Sequence, residues 1–247
     1  MGIWEKLNVM YGVPIPNRVR WKVGMKEEAH FWDIYLQTKG LNGPKLFQKR
    51  MDPNLPLHER AQALLPDRES VTILDVGAGP MTNLGKIVPG KRIEIVAVDP
   101  LADIYDQLML KHGVKPLVRT EQLAGESLLN RWAENTFDLV FASNCIDHSA
   151  DPHQVFRQMI GVVKKGGYVL MEHCPNVAMR ENYGGLHQWN FSMDDNGDFL
   201  VSSKLKQVNV SQQLQDLAAI KCETIMELVD EDVPKMEPNL IVRMLKL

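Results

Sequence analysis

From residue 71 onward the chain alternates short apolar runs, rich in Val and Ile, with stretches of helical spacing. That is the pattern of β-α-β units feeding a parallel sheet. Strands are expected over residues 71–76, 93–99, 116–120, 137–143 and 168–173. Before the last of these, Val155, Phe156, Met159, Ile160 and Val163 form one apolar stripe of a predicted helix. Asp151 suits its N-cap and Pro152 its first turn, while Lys164 and Lys165 suit its negative end and Gly166 its stop. Two apolar runs, 224–229 and 240–247, flank Pro234 and Pro238 and predict a closing antiparallel strand pair. The expected class is α/β, a mostly parallel sheet with helices on both faces.

Residues 1–70 differ in kind. Pro14, Pro16, Pro44, Pro53 and Pro56 interrupt them, leaving one helical stretch over 27–38, so they read as an extension or lid packed on a domain spanning 71–247. Residues 175–207 read as an insertion on the acceptor side of that domain, with Asp195-Asn196-Gly197 as the turn between two strands. A chain of 247 residues fits one large domain with an extension.

Charge and cysteine content narrow the function classes. With 28 basic against 31 acidic residues and a formal net charge of -3, no broad positive field exists for a nucleic-acid backbone. No apolar run approaches the roughly 18 residues of a membrane helix, and residues 1–20 lack the apolar core of a secretory leader. A cytoplasmic protein without nucleic-acid or membrane partners is therefore expected, and the sequence leaves homo-oligomerisation open. Cys145, Cys174 and Cys222 are odd in number and widely spaced, which predicts buried thiols rather than a disulfide or a zinc site.

The run Ile73-Leu74-Asp75-Val76 leads into Gly77-Ala78-Gly79-Pro80, an apolar strand ending in a glycine turn where parallel sheets bind ligands. A dinucleotide fingerprint would place a third glycine at position 82 to seat a pyrophosphate, but Thr82 stands there. A cofactor without phosphate needs only the close turn and an acid for its ribose. Asp99, which ends the next strand before Pro100, supplies that acid. Taken with Gly125-Glu126-Ser127, Phe137-Asp138-Leu139-Val140, Asp147-His148-Ser149-Ala150-Asp151-Pro152 and Lys165-Gly166-Gly167, the chain from residue 71 resembles the class I S-adenosylmethionine-dependent methyltransferases. The resemblance implies a Rossmann-like domain, S-adenosylmethionine as cofactor and a small-molecule acceptor. It implies that Asp75, Gly77, Gly79 and Pro80 shape the cofactor turn, that Asp99 and Pro100 lie at the ribose, that Glu126 meets the adenine amino group with Ser127 beside the ring, and that Ser143 and Asn144 line the methionine end. Met81 departs from the glycine many relatives carry. Two alternatives stand beside this reading: a nicotinamide-dependent oxidoreductase, disfavoured by Thr82, and a non-catalytic adenosylmethionine-binding module.

Methyl transfer to a hydroxyl requires in-line placement and removal of a proton, for which a histidine is the common base. His148 follows the fourth strand and His187 lies in the cluster His187-Gln188-Trp189-Asn190; both are candidate bases. Asp147, His173, Gln188, Trp189, Asn190 and Arg50 are candidate acceptor-binding residues. Asn144, Asp147 and His148 repeat the spacing of a Glu-x-x-Glu-His pattern of ubiquinone-biosynthesis O-methyltransferases that is linked to a metal, but Asn144 leaves one negative charge where that pattern has two. No metal is expected. The set Arg50-Met51-Asp52-Pro53, Asp147-His148-Ser149 and His187-Gln188-Trp189-Asn190 also resembles methyltransferases of bacterial surface-polysaccharide biosynthesis. That resemblance implies O-methylation of a sugar, nucleotide-sugar or phosphoryl-linked acceptor, with Arg50 and His30-Phe31-Trp32 closing over the site.

Overall fold

A computed structural model describes residues 17–41, 43–230 and 235–247. Pro14, Pro16 and Pro234, read above as chain breakers, lie outside them. Five parallel strands run in the order β3-β2-β1-β4-β5: β1 (Ser70–Val76), β2 (Arg92–Asp99), β3 (Thr120–Gln122), β4 (Phe137–Ser143) and β5 (Val163–His173). The antiparallel pair β10 (Lys235–Lys246) and β9 (Ala218–Asp230) extends the sheet beyond β5. The central strands are apolar on both faces, as a sheet covered on both sides requires. The third strand falls later than the predicted 116–120, because Pro116 cannot donate to a ladder and pairing with β2 starts at Thr120.

Helices α1 (Asn17–Thr38), α2 (Pro44–Met51) and the single turn α3 (Glu59–Gln62) precede the sheet, and α4 (Ala102–His112) links β2 to β3. Helix α5 (Pro152–Val162) begins as predicted, with the Asp151 carboxylate accepting from the backbone N–H groups of His153 and Gln154, and its stripe of Val155, Phe156, Met159 and Ile160 is buried. Its end differs from expectation. The backbone is already extended at Val163, and residues between Val163 and Tyr168 bulge from the sheet, so Gly166 turns a bulge rather than stopping the helix. Lys164 instead reaches the buried Asp138 at 2.9 Å, which also accepts from the backbone and hydroxyl of Thr72 and so ties β4 to β1.

After β5 come the short helix α6 (Val177–Arg180) and a separate three-stranded sheet, β6 (Asn190–Met193), β7 (Phe199–Ser202) and β8 (Gln207–Asn209), followed by the turn α7 (Val210–Gln213). The β6–β7 turn is the predicted Asp195-Asn196-Gly197, with Gly197 in the left-handed region. Phe191, Phe199 and Val201 of this sheet join Phe156 in the main core, which fixes the insertion to the domain.

Replacing Asp151 with Ala removes two capping bonds and should lower stability by about 1 kcal/mol. A denaturant titration showing an unchanged midpoint would contradict the cap's role, and Asp151→Ser should restore most of the loss.

Candidate active site

The C-terminal ends of β1, β2, β4 and β5 open into a cleft of about 630 Å³. At one end the turn after β1 holds Gly77, Ala78 and Gly79; Gly79 has φ +64, and a Cβ there would lie 2.8 Å from the Trp32 ring. Only glycine serves at this position, for backbone and for space. Thr82 donates its hydroxyl to Asp75 at 2.5 Å, so the residue that breaks the dinucleotide fingerprint braces the turn's own acid. Burial pushes the Asp75 carboxyl up to about 6. Asp99 accepts from the N–H groups of Leu101 at 2.8 Å and Gly79 at 3.2 Å, and burial pushes it up to about 6 as well. Pro100, Glu126, Ser143 and Asn144 line the same wall. Glu126 also accepts from the backbone of Ala150 and Asp151. Of the other expected cofactor contacts, Pro80 is buried in the turn and Ser127 is half-buried, and neither is among the residues lining the cleft.

At the other end Asn144 takes a left-handed conformation (φ +48) that Asn tolerates, and its side chain accepts from the backbone of Cys174. This clamp between the ends of β4 and β5 leads into a tight turn, Ile146–His148. Asp147 on that turn is 1% exposed, and three imidazoles surround it. His173 Nε2 lies 2.9 Å from Oδ1, His187 Nδ1 lies 2.6 Å from Oδ2, and His148 Nε2 lies 3.7 Å from Oδ2 and 3.1 Å from His187 Nδ1. The other nitrogen of His173 faces the Cys174 carbonyl at 2.7 Å. Burial alone would raise the Asp147 carboxyl; the charge of His173 and the hydrogen bonds from His173 and His187 outweigh it and hold the carboxyl well below the usual range. His148 is shifted down by burial, whereas the bond to Asp147 shifts His187 up.

Helix α1 crosses above both ends. Gly24 meets Leu186, with space for no Cβ; Glu28 lies 3.9 Å from His148 Nδ1; Trp32 covers Gly79; and Asp33 pairs with His112 and Lys111 of α4. Trp32 and Phe31 line the cleft, while His30 is exposed. Arg50, expected on the acceptor side, stands instead at the cofactor turn. It donates to the Met81 carbonyl and lies over the Trp32 ring, and its buried Nε has no hydrogen-bond partner among the described residues.

Gln188, Trp189 and Asn190, expected at the acceptor, make contacts within the protein. Gln188 donates to the carbonyls of Tyr183 and Gly185, Trp189 to that of Ser149, and Asn190, buried, bonds Met179 and Tyr183. They hold the loop that presents His187 and do not line the cleft. Glu28 and Tyr105, which bonds Asp99, were missed. Tyr105 sits six residues beyond a recognised acid, but Glu28 follows no motif and is placed only by the packing of α1.

Residues 74–171 match the family described as Methyltransferase domain. The phosphoethanolamine N-methyltransferase 2 of Caenorhabditis elegans is 23% identical over 120 residues, 49% of this chain and 27% of that protein; the chain thus spans about a quarter of the curated relative's length. Among solved structures, the complex between the Haloferax volcanii Trm112 methyltransferase activator and a methyltransferase matches at TM-score 0.54 and 13% identity, covering 90% of this chain and 97% of that one. The CurJ carbon methyltransferase matches at TM-score 0.50 and 14% identity, covering 76% and 52%. At these identities the structures show a shared fold. Neither the nicotinamide-dependent nor the non-catalytic reading gains support. Among the described residues no helix is long and apolar enough to cross a membrane.

Gly79→Ala should cost about 1 kcal/mol or more, through the left-handed backbone and the clash with Trp32. Amide exchange in α1 should quicken in this variant; unchanged exchange would show that the helix does not rest on the turn.

Proposed function

We propose that the chain, whose residues 74–171 match a methyltransferase domain, is a class I S-adenosylmethionine-dependent methyltransferase that carries a methyl group to a hydroxyl of a small polar acceptor seated beside Asp147, His148 and His187. The observation that carries this reading is one cleft with two chemically distinct ends. The glycine turn, Asp99 and Glu126 present hydrogen-bond partners for an adenosine, and a histidine cluster built on a buried carboxylate stands at the other end. The cofactor fits what is present. Carboxylate oxygens have lone pairs left for two ribose hydroxyls after accepting from Leu101 and Gly79, and the unpartnered Arg50 Nε at the turn suits the carboxylate of the methionine portion.

Bound adenosylmethionine supplies an electrophilic methyl on a positive sulfur. The chain's residues supply position and proton transfer: Ser143 and Asn144 border the methionine end, α1 excludes water from above, and one of His148 and His187 takes the acceptor's proton. Glu28, Arg180 and the two histidines make the acceptor end polar and of mixed charge. A sugar, nucleotide-sugar or other phosphoryl-linked acceptor suits such a wall, and the similarity to a nematode phosphoethanolamine N-methyltransferase supports a small phosphoryl-bearing molecule. The polysaccharide-biosynthesis role belongs to this proposal and rests on the sequence resemblance.

Two outcomes are expected. Ribose hydroxyls bind the ionised form of Asp99, whose carboxyl sits near 6 when the cleft is free, so lowering the pH makes the ligand displace a proton. Calorimetric affinity for S-adenosylhomocysteine should therefore fall by about tenfold from pH 7 to pH 5. Asp99→Asn should abolish that dependence and cost about 1.5–3 kcal/mol at pH 7; an equally steep fall in the variant removes Asp99 from the ribose site. In an acceptor screen with labelled adenosylmethionine, His148→Ala or His187→Ala should lower turnover by about 10²–10⁴ with S-adenosylhomocysteine affinity nearly intact. Near-normal turnover in both would leave positioning alone to carry the reaction.

A further inference from the structure

Three potential ligand atoms from two chain segments, the turn after β4 and the loop before β6, converge on one point. Asp147 Oδ2, His148 Nε2 and His187 Nδ1 are separated by 2.6, 3.1 and 3.7 Å. A point about 2 Å from all three lies just outside their plane, which is the bond length of a divalent zinc-class ion to imidazole nitrogen and carboxylate oxygen. Hydrogen bonding accounts for this cluster incompletely: Asp147 Oδ2 at 2.6 Å and His148 Nε2 at 3.1 Å both face the single ring nitrogen Nδ1 of His187, which carries at most one hydrogen.

The surroundings are those of a site built around its ligands. Asp147 is buried and its other oxygen is fixed by His173, whose far nitrogen is held in turn by the Cys174 carbonyl. A buried outer partner that orients a ligating carboxylate is the usual second layer of a metal site. His187 is held by a loop whose Gln188, Trp189 and Asn190 are spent on backbone and core contacts. All three ligand residues line the cleft, so the side away from the protein opens toward the acceptor.

From this convergence we infer that Asp147, His148 and His187 form a binding site for one divalent transition cation, with an open position facing the acceptor. The two-nitrogen, one-oxygen set suits zinc, cobalt, iron or manganese over magnesium or calcium, which prefer oxygen ligands. The absence of a second acid at position 144, which argued against a metal from the sequence, is made good by His187 from the insertion. The inference goes beyond the methyl-transfer reading and shares its residues. In the cation-free protein the rings accept a proton; in the loaded protein their lone pairs are ligands and an acceptor oxygen can complete the coordination.

The test is titration of the untagged, chelator-treated chain with cobalt(II), read by visible absorption, and with zinc(II), read by calorimetry, in the absence of cofactor and acceptor. One equivalent should bind, and magnesium should not compete at equal concentration. His187→Ala and His148→Ala should each weaken cobalt binding at least 30-fold, and His173→Gln by about 10–100-fold, while His153→Ala, outside the cleft, should change nothing. His187→Gln, whose thermal midpoint is to be checked beside the wild type, guards against loss through misfolding. Absence of a one-equivalent site below 100 μM (about 5.5 kcal/mol of binding free energy), or binding indifferent to both histidine variants, overturns the inference. Adenosylhomocysteine binding without cobalt binding sinks the metal site alone; cobalt binding without transfer to any hydroxyl acceptor sinks the proposed reaction alone.

Discussion

A carboxylate taken out of water must be paired, and the rest of the site follows from how Asp147 meets that demand. It lies almost wholly inside the protein on the turn after β4, and its partners come from elsewhere: His173 from the end of β5 and His187 from the insertion. One buried anion thus fixes two strand ends and an added loop in a single register. Removing a partner of such a group typically costs about 3–5 kcal/mol, because the charge left behind is uncompensated. The insertion therefore cannot drift from the domain without exposing or abandoning that charge, and this is what keeps two rings with opposite pKa shifts in contact at the cleft wall.

The same economy appears above the cleft. Helix α1 touches the loop before His187 at Gly24, the histidine cluster at Glu28, the glycine turn at Trp32 and the end of α4 at Asp33. Its residues bear on both ends of the site at once, Trp32 over the glycine turn and Glu28 beside His148. The Trp32 indole N–H donates to Glu28 at 2.8 Å, which makes that linkage a direct bond as well as a shared helix.

Legibility in the sequence tracked how local each feature was. Strands β1, β2 and β4, the Asp151 cap and the hairpin turn at Gly197 are set by neighbours in the chain, and the pattern placed them. The end of α5 was misplaced because Val163 continues the apolar stripe although it is already strand, and what decides the matter is pairing with Phe137. Gly77, Gly79 and Asp99 were readable because a glycine turn and a strand-ending acid recur at a fixed spacing. The Gln188-Trp189-Asn190 run reads as ligand-binding because polar and aromatic residues beside a histidine look alike whether they bind a ligand or brace a loop; in the structure each is engaged within the protein, Gln188 and Trp189 by backbone carbonyls and Asn190 by Met179 and Tyr183. Glu28 and the nearness of His187 to His148 depend on packing across many residues, and no local signal carries either.

The claim at the centre of this account is that the cleft presents the reactive end of its cofactor to the Asp147 cluster. A crystal structure of the protein with S-adenosylhomocysteine tests it most directly. The account requires the ribose against Asp99, the adenine toward Glu126, and the sulfur directed at His148 and His187 with room for one acceptor between. An adenosine portion lying among the histidines, or a sulfur turned away from them toward solvent, would contradict it.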